Sequence, residues 1–597
     1  MIKKMTKYSF VIFHREVDDF LQNLQNIGVV DVTRQKRAID GYSKDQFELI
    51  AKYNATIKQL NVVKEEAKAK KIEIPTSKPN AENLLEHITN SLQKKIAINN
   101  EIATTKTALV EAKPWGNFTQ TDFDKLAALN LKPHFYCITK KRFNEQWAEE
   151  YPLHIISETE SNVYFAILQE GNSEYTFKEQ EAHFPDESFD VLDARRVKLE
   201  EDKKINENAI LSCTSCIKDL EEEKQKLFSK LDLYLASSNS TKEAEDTIAI
   251  FEGFAPTDID KEVDKFLEDN NVYYLKEAAK TEDNPPIKLK NNFFGKLYEP
   301  IGELYMLPTY GELDLTLFFA PFYMLFFGLC LGDMGYGLIL LIAGLVVNFT
   351  MPKFKNYGKL VAWLGFGAVI MPALNGTFFG AKLYDIFPMP ENIKSLFFSD
   401  MKMFWFAIIF GLVQIVFARI INAIFTMKTQ GFFAGLANLG WAILITWGAV
   451  WYASTQVPFS CPDFVNYIGL GALALILFFT SDSKNPIIRL FKGTASLYDV
   501  TGVFGDMLSY IRLFGLGTAG GILGLVVNSV AMQLSGVPYI GWGLTIIMLL
   551  VGHTAVLFLS TLGAFVHPMR LTFVEFYKNA GFQGGGREYS PLTKNKE

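Results

Sequence analysis

The sequence predicts an α-helical membrane protein of about eight transmembrane helices, the last two long and tilted, joined to an elongated N-terminal α+β domain with a coiled-coil arm. Three observations predict it. From Met1 to about Pro300 the chain is dense in Lys and Glu, whereas from about Leu313 to Phe576 it is a succession of long apolar runs, so the charged fraction of 21% averages two unlike halves. The first half holds helical stretches longer than a globular core needs. The runs of the second half have the length and hydropathy of bilayer spans. The expected domains are therefore 1–300, soluble, and 301–597, membrane-embedded.

In chain order, Tyr8 to Phe13 reads as a strand, Glu16 to Asn26 as an amphipathic helix, and Val29 to Val32, after the turn at Gly28, as a second strand. Two polar helical stretches follow, about Lys44 to Lys71 and about Ala81 to Lys113, separated by IPTSKPN and closed by Pro114-Trp115-Gly116. Their sparse apolar stripes suggest an antiparallel rod. Strand-like runs return near His134 to Ile138 and Val163 to Ile167, before a helix from about Val191 to Leu235. At 1.5 Å per residue that helix spans on the order of 65 Å, the length of an arm. Ile248 to Phe254 and Val272 to Leu275 complete the soluble lobe, and TEDNPPIKLKNN, with Pro285 and Pro286, reads as the linker into the membrane.

The second half divides into spans at about Leu315–Leu329, Tyr336–Phe349, Leu360–Phe379, Met403–Phe425, Phe433–Tyr452, Val465–Thr480, Tyr498–Leu534 and Ile540–Phe576. The first two are short for a bilayer, and the last two are long enough to require tilt or extension beyond lipid. Loop charges orient them. Connections after even-numbered spans carry Lys353, Lys355 and Lys359, then Lys428, then Lys484, Arg489 and Lys492, whereas the Tyr384–Asp400 connection carries Asp385, Glu391 and Asp400 against Lys394. By the positive-inside rule both termini, and with them the N-terminal arm, are expected in the cytoplasm. MIKKMTKYSF has no apolar stretch or small-residue cleavage site, so no signal peptide is expected.

Two intramembrane cations stand out. Arg512 sits mid-helix in GDMLSYIRLFGLG, where an arginine costs about 2.5–3.5 kcal/mol even on lenient insertion scales. Gly505, Ser509, Arg512, Ala519 and Leu523 fall near one helical face with Gly515, Gly520 and Gly524 close by, a face that another helix can approach. In LGAFVHPMRLTFVEF, Ser560, Gly563, His567 and Arg570 share a stripe, and Pro568 removes a backbone donor from it. Arg570 alone also fits a residue snorkelling from a helix end. Asp506 and Tyr510, one turn apart, either line a wet path or satisfy each other. Glu575 reads as an exposed end-of-helix carboxylate, Asp333 in GDMGYG as a helix cap or structural residue, and His553 as a packed, hydrogen-bonded core residue.

Other function classes fit less well. Net charge −7 argues against nucleic acid as a partner. Cys137, Cys213, Cys216, Cys330 and Cys461 are scattered without a disulfide-framework spacing, although Cys213 and Cys216 have the CxxC spacing that redox or metal chemistry uses. The CxxC pair Cys213 and Cys216 lies instead on a coiled-coil seam with Ala209, Leu220, Leu227, Leu231 and Tyr234. No GxxxxGK[ST] loop occurs, and no metal or cofactor site is expected.

With FFAPFYMLFFGLCLGDMGYG at 318–337, DMLSYIRL around Arg512, and LGAFVHPMRLTFVEF followed by GGGREYSPL, the chain resembles, over its whole length, the membrane stator subunits of V-type and A-type rotary ATPases, the bacterial version most closely. These are called subunit a in eukaryotes and subunit I in bacteria. The resemblance implies a non-catalytic, ion-translocating subunit in a bacterial plasma membrane, with ATP handled in a separate soluble head. Implied partners are a ring of small membrane subunits bearing ion-binding carboxylates, peripheral stalk subunits, a central-stalk adaptor and membrane lipid. Carried over by position, Arg512 and Arg570 serve ion translocation, with His567, Asp506, Ser509, Tyr510, Ser560 and Glu575 as half-channel or helper residues. Where some relatives carry a histidine and a glutamate, this chain has Gly520 and Ser560. Two readings of other classes stand beside this one: a secondary ion transporter, for which no internal repeat is evident, and a membrane-anchored coiled-coil scaffold, which leaves Arg512 unexplained.

Overall fold

A computed structural model of the chain describes residues 1–597 apart from 36, 71, 73–82, 172–176, 244–246, 389, 457–463, 482–484, 537 and 595–597. Cys461, Lys484 and the whole IPTSKPN connection thus lie outside the described residues. The chain forms two compact units, one made of residues 14–28, 34–241 and 592–597, the other of 1–13, 29–33 and 242–591.

The first unit is built on a long helix in two parts, Phe189–Cys213 and Ile217–Ser238, joined by a 3-10 turn at Thr214–Cys216. The two polar helices expected to form a rod, Gly41–Ala69 and Leu84–Ala112, pack chiefly along this long helix rather than along each other. Their stripes are too sparse to make a seam alone, and the long helix supplies the missing side. Ile98 and Ile102 close on Leu199. Ile57, Leu60, Leu85 and Ile88 close on Ile210, Cys213 and Leu220, and Ile50 closes on Leu231 and Leu235. Cys213 and Cys216 are buried free thiols on this seam. Arg34 reaches the same helix through an ion pair to Asp232 at 3.1 Å, both nearly enclosed. A three-stranded antiparallel sheet places Asn162–Glu170 between Leu131–Thr139 and Leu153–Glu158, the last a strand whose weak alternation the sequence pattern does not reveal.

In the second unit an antiparallel sheet runs in the order Asp31–Val32, Ile248–Pro256, Met5–Phe13, Tyr273–Ala278. Tyr8 and Phe10 are fully buried in it. The carboxylate of Asp31 accepts the Ser590 N–H at 3.0 Å, and Tyr589 bonds the Val29 carbonyl, so the C-terminal tail is tied to the sheet.

Among the described residues, four helical stretches are long and apolar enough to cross a membrane: Asp400–Thr429, Phe432–Thr455, Pro486–Leu534 and Gly541–Ala580. Thr316–Leu331, Met334–Thr350 and Phe464–Phe479 are shorter apolar helices. The helix expected to reach Phe379 ends at Ala373 after Pro372, and the chain then turns through a two-stranded hairpin, Thr377–Phe378 with Ala381–Lys382. The Pro486–Leu534 stretch is also divided, into Pro486–Ser496, Asp499–Ser509 and Ile511–Leu534. Arg512 is therefore two residues beyond a break at Tyr510, not midway along an uninterrupted helix.

Backbones meet closely where these helices cross. Gly332 ends the Thr316–Leu331 helix in the left-handed conformation at φ 68°, and a Cβ there would lie 2.1 Å from the Gly517 carbonyl oxygen. Strain and overlap act together at this position. Gly332→Ala is expected to lower stability by more than about 1 kcal/mol, read as an earlier thermal transition in detergent.

Candidate functional site

Arg512 and Arg570 stand on adjacent antiparallel helices, Ile511–Leu534 and Gly541–Arg570. Two contacts fix the register. The His553 Nε2 to Asn528 Oδ1 distance is 3.0 Å, and a Cβ on Gly520 would lie 3.2 Å from Ser560 Oγ. Following that register down the pair brings Arg512 opposite the turn that contains His567, Pro568 and Arg570. The three cationic or titratable groups of the two motifs thus gather at one level, with the His567 imidazole within electrostatic reach of both guanidiniums.

Neither arginine makes a hydrogen bond or ion pair among the described residues. Arg512 is half-buried, and its Nη1 is enclosed without a partner. Arg570 is exposed. Around them both helices present apolar side chains outward, among them Ile522, Val526, Phe558, Leu559, Leu562 and Val566. An enclosed, unpaired guanidinium N–H is costly in a folded protein.

Below this level the chain leaves the α-helix for a π-helical segment, Leu571–Phe576, which re-phases the residues after Pro568. Glu575 is turned inward, 2% exposed, where the sequence pattern predicts an exposed carboxylate. A stripe drawn at a constant 100° per residue cannot anticipate the extra residue of a π turn. The Ser509 hydroxyl, which donates to the Gly505 carbonyl at 3.3 Å, lies beside the Glu575 carboxylate, whose Oε2 is buried without a partner. Asp506, on the preceding helix, is 3.3 Å from Lys578 Nζ and accepts a 3.0 Å bond from Asn579 Nδ2. Asp506 and Tyr510 do not satisfy each other: the Tyr510 hydroxyl donates instead to Gln414 Oε1 at 2.8 Å. A further arginine within an apolar helix, Arg419, belongs to this cluster. Its guanidinium lies 5.7 Å from the Trp441 ring and within electrostatic reach of Asp499 and Asp506, and its Nε is enclosed without a partner. An arginine inside the apolar run FGLVQIVFARIINAIF was the signal for it.

Toward the other end of the helix pair, Asp333 has the structural place expected of it. Fully buried, it accepts the backbone N–H groups of Gly335, Tyr336, Phe379 and Gly380 at 2.7–3.2 Å, capping one helix and holding the hairpin. His553 is hydrogen-bonded on both ring nitrogens, as its packed position predicts. Among the described residues no group of three or more His, Cys, Asp or Glu is placed to hold a metal ion.

Residues 172–393 match the profile of the V-type ATPase 116kDa subunit family. The chain is 30% identical over 357 residues to A-type ATP synthase subunit I of Methanocaldococcus jannaschii, a match covering 54% of this chain and 51% of that protein. It is 24% identical over 633 residues to V-type ATP synthase subunit I of Borreliella burgdorferi, covering 100% of both. The chain thus spans about half the length of the archaeal relative and all of the spirochaete one. A crystal structure of the cytoplasmic N-terminal domain of subunit I, homolog of subunit a, of V-ATPase aligns with 46% of this chain and 100% of its own at 13% identity and TM-score 0.20.

The Tyr510–Gln414 bond joins residues far apart in sequence, and the Gln414 Nε2 is already without a partner. Tyr510→Phe is expected to destabilise the protein by about 1–3 kcal/mol by orphaning the amide oxygen as well. Gln414→Leu combined with Tyr510→Phe should recover most of that loss in a thermal double-mutant cycle.

Proposed function

We propose that this chain, which is similar to the V-type ATPase 116kDa subunit family over residues 172–393 and to the subunit I proteins of A-type and V-type ATP synthases, is the ion-translocating stator of a rotary ATPase. The single observation that carries this reading is the pair of unpaired guanidiniums, Arg512 and Arg570, at one level of two adjacent helices whose outward face is apolar. A charge left without a partner inside its own chain is suited to a partner that passes by, here a ring of small subunits each bearing an ionisable carboxyl group.

Burial in lipid favours the neutral carboxyl by up to about 3–5 pKa units, which lets it cross the bilayer loaded with its ion. A fixed charge about 4 Å away contributes roughly 4 kcal/mol at an effective dielectric near 20, about a thousandfold in proton affinity. The two effects are of similar size, so passage beside Arg512 switches the carboxyl to release. The same fixed charge repels a mobile cation and separates two aqueous half-channels. Ions that cannot cross directly go round with the ring, coupling transport to ATP hydrolysis or synthesis in a separate head.

Eight membrane crossings with both termini in the cytoplasm accommodate this arrangement, the shorter apolar helices and the Lys355–Ala373 helix completing the four longer ones. The cytoplasmic half-channel is assigned to the polar cluster of Ser509, Asp506, Glu575 and Asn579, joined by Arg419 and Gln414, whose enclosed unpartnered atoms suit water. Tyr510 closes that cluster by its bond to Gln414. Ser560 and His567 lie on the other approach to the arginines, and Asp333 keeps the scaffold. The soluble arm of residues 1–300 is assigned to the peripheral stalks and the central-stalk adaptor.

Arg512→Ala is expected to abolish ATP-driven ion transport while the complex assembles with its usual companions. Transport is measured in vesicles carrying the intact ATPase, and normal pumping by this variant would remove Arg512 from the mechanism.

A further inference from the structure

On the Gly541–Arg570 helix, His553, Ser560 and His567 recur every seven residues, two helical turns, and so lie on one stripe about 10 Å apart. The stripe faces the Arg512 helix: His553 meets Asn528, Ser560 meets Gly520, and His567 reaches the level of Arg512. Gly520 and Gly524 carry no side chain to block it, and a Cβ on Gly524 would lie 3.3 Å from the Tyr336 hydroxyl.

The bonds of His553 define its hydrogen positions. Asn528 Nδ2 donates to the Phe379 carbonyl at 2.7 Å, so the amide oxygen is the atom that faces His553, and Nε2 carries the proton that it accepts. Nδ1 of the neutral ring then accepts from the Tyr336 hydroxyl at 2.7 Å. A hydroxyl both donates and accepts. If Nδ1 gains a proton, the Tyr336 hydroxyl turns over and becomes its acceptor, and no bond is lost. The site holds either protonation state with the same heavy-atom geometry, which a purely structural histidine does not need.

The groups facing His553 favour that use. The Met334–Thr350 helix contributes Tyr336 and, at its cap, the Asp333 carboxylate. The Ile511–Leu534 helix contributes uncharged Asn528. The hairpin contributes the Phe379 ring, and its Lys382 ammonium is engaged at 2.8 Å with Asn375 Oδ1. The Thr316–Leu331 helix contributes no charged residue, its titratable members being Tyr323 and Cys330. On its own helix the next titratable groups are His567 and Arg570. The nearest formal charge off the helix is thus negative, the sign that offsets part of the cost of burying an imidazolium.

We propose that His553, with Tyr336 and Asn528, is a proton-relay station on the approach to Arg512 opposite the Asp506–Lys578 cluster, and that the ion carried is therefore H⁺. The relay rests on the stator reading. One proton from water binds Nδ1 as the Tyr336 hydroxyl turns over to accept from it; the same nitrogen then gives up its proton to water toward the Ser560–His567 stripe, the Tyr336 hydroxyl turns back to donate, and Nε2–H stays on Asn528 throughout.

The test uses vesicles carrying the whole ATPase with His553→Gln, His553→Glu, Tyr336→Phe and, in parallel, Arg512→Ala. ATP-driven acidification is followed in sodium-free buffer between about pH 5.5 and 8.5, the range over which a histidine titrates. The unaltered complex is expected to acidify without sodium. His553→Gln should slow acidification by roughly 100-fold, the scale of a positioned proton donor and acceptor. His553→Glu should restore part of it with a profile displaced to lower pH, a rescue that a packing role does not give. Tyr336→Phe keeps the ring and removes the hydroxyl, so it should slow acidification even if His553→Gln fails to assemble. Acidification at the unaltered rate by His553→Gln and Tyr336→Phe, or sodium uptake without acidification by the unaltered complex, overturns the relay. If Arg512→Ala also pumps normally, the stator reading itself has failed; if Arg512→Ala is silent while the His553 and Tyr336 variants pump, only the relay has.

Discussion

The architecture around the two arginines hangs on the carboxylate of Asp333. Four backbone N–H groups converge on it, two from the first turn of the Met334–Thr350 helix and two from the hairpin at Phe379 and Gly380. Charge-assisted bonds of this kind are strong where water is excluded, and losing the acceptor would strand several donors together. The hairpin so held bears on the Arg512 helix: a Cβ on Gly380, at φ 76°, would lie 2.2 Å from the Gly524 carbonyl carbon. Helix cap, hairpin and Arg512 helix are one stacked assembly. The height of Arg512 is set from a carboxylate it never touches.

Against that rigid backing, the polarity on the other side of the arginines is conspicuously incomplete. Enclosed atoms without partners include Arg512 Nη1, Arg419 Nε, Gln414 Nε2, Glu575 Oε2 and Asn579 Oδ1. Proteins seldom leave so many polar groups unsatisfied in one place, since each costs roughly 1–3 kcal/mol. Their concentration between the Asp400–Thr429 helix and the last two helices suits a space that water or a passing ion fills.

Much of this was legible in the sequence, and the limits have identifiable causes. A charge inside an apolar run announces itself by cost, which exposes Arg512 and applies equally to Arg419. Asp333 is legible because a glycine and an acidic residue before an apolar helix make a cap. Glu575 was misplaced because the π-helical turn changes the period on which any stripe is drawn. The break at Tyr510 and its bond to Gln414 depend on a helix nearly a hundred residues earlier, and no local pattern contains that. In the unit built on the long helix, the helices were readable but their partners were not. Sparse stripes on Gly41–Ala69 and Leu84–Ala112 said that each needed a seam, and the Phe189–Cys213 and Ile217–Ser238 helices provide it.

The two arginines, already unequal in the sequence, differ also in physical standing. Arg512 is half-buried with one nitrogen enclosed, just after a helix break and level with His567. Its charge is held in place by packing and cannot be quenched by proton loss, because a guanidinium keeps its proton. Arg570 is exposed, beside Pro568 and immediately before the π turn, and its long side chain can follow what approaches. In the proposed stator a charge so fixed repels at one position, whereas one whose side chain can follow what approaches extends that barrier; on that proposal, removing Arg512 removes the barrier itself, and removing Arg570 only its reach.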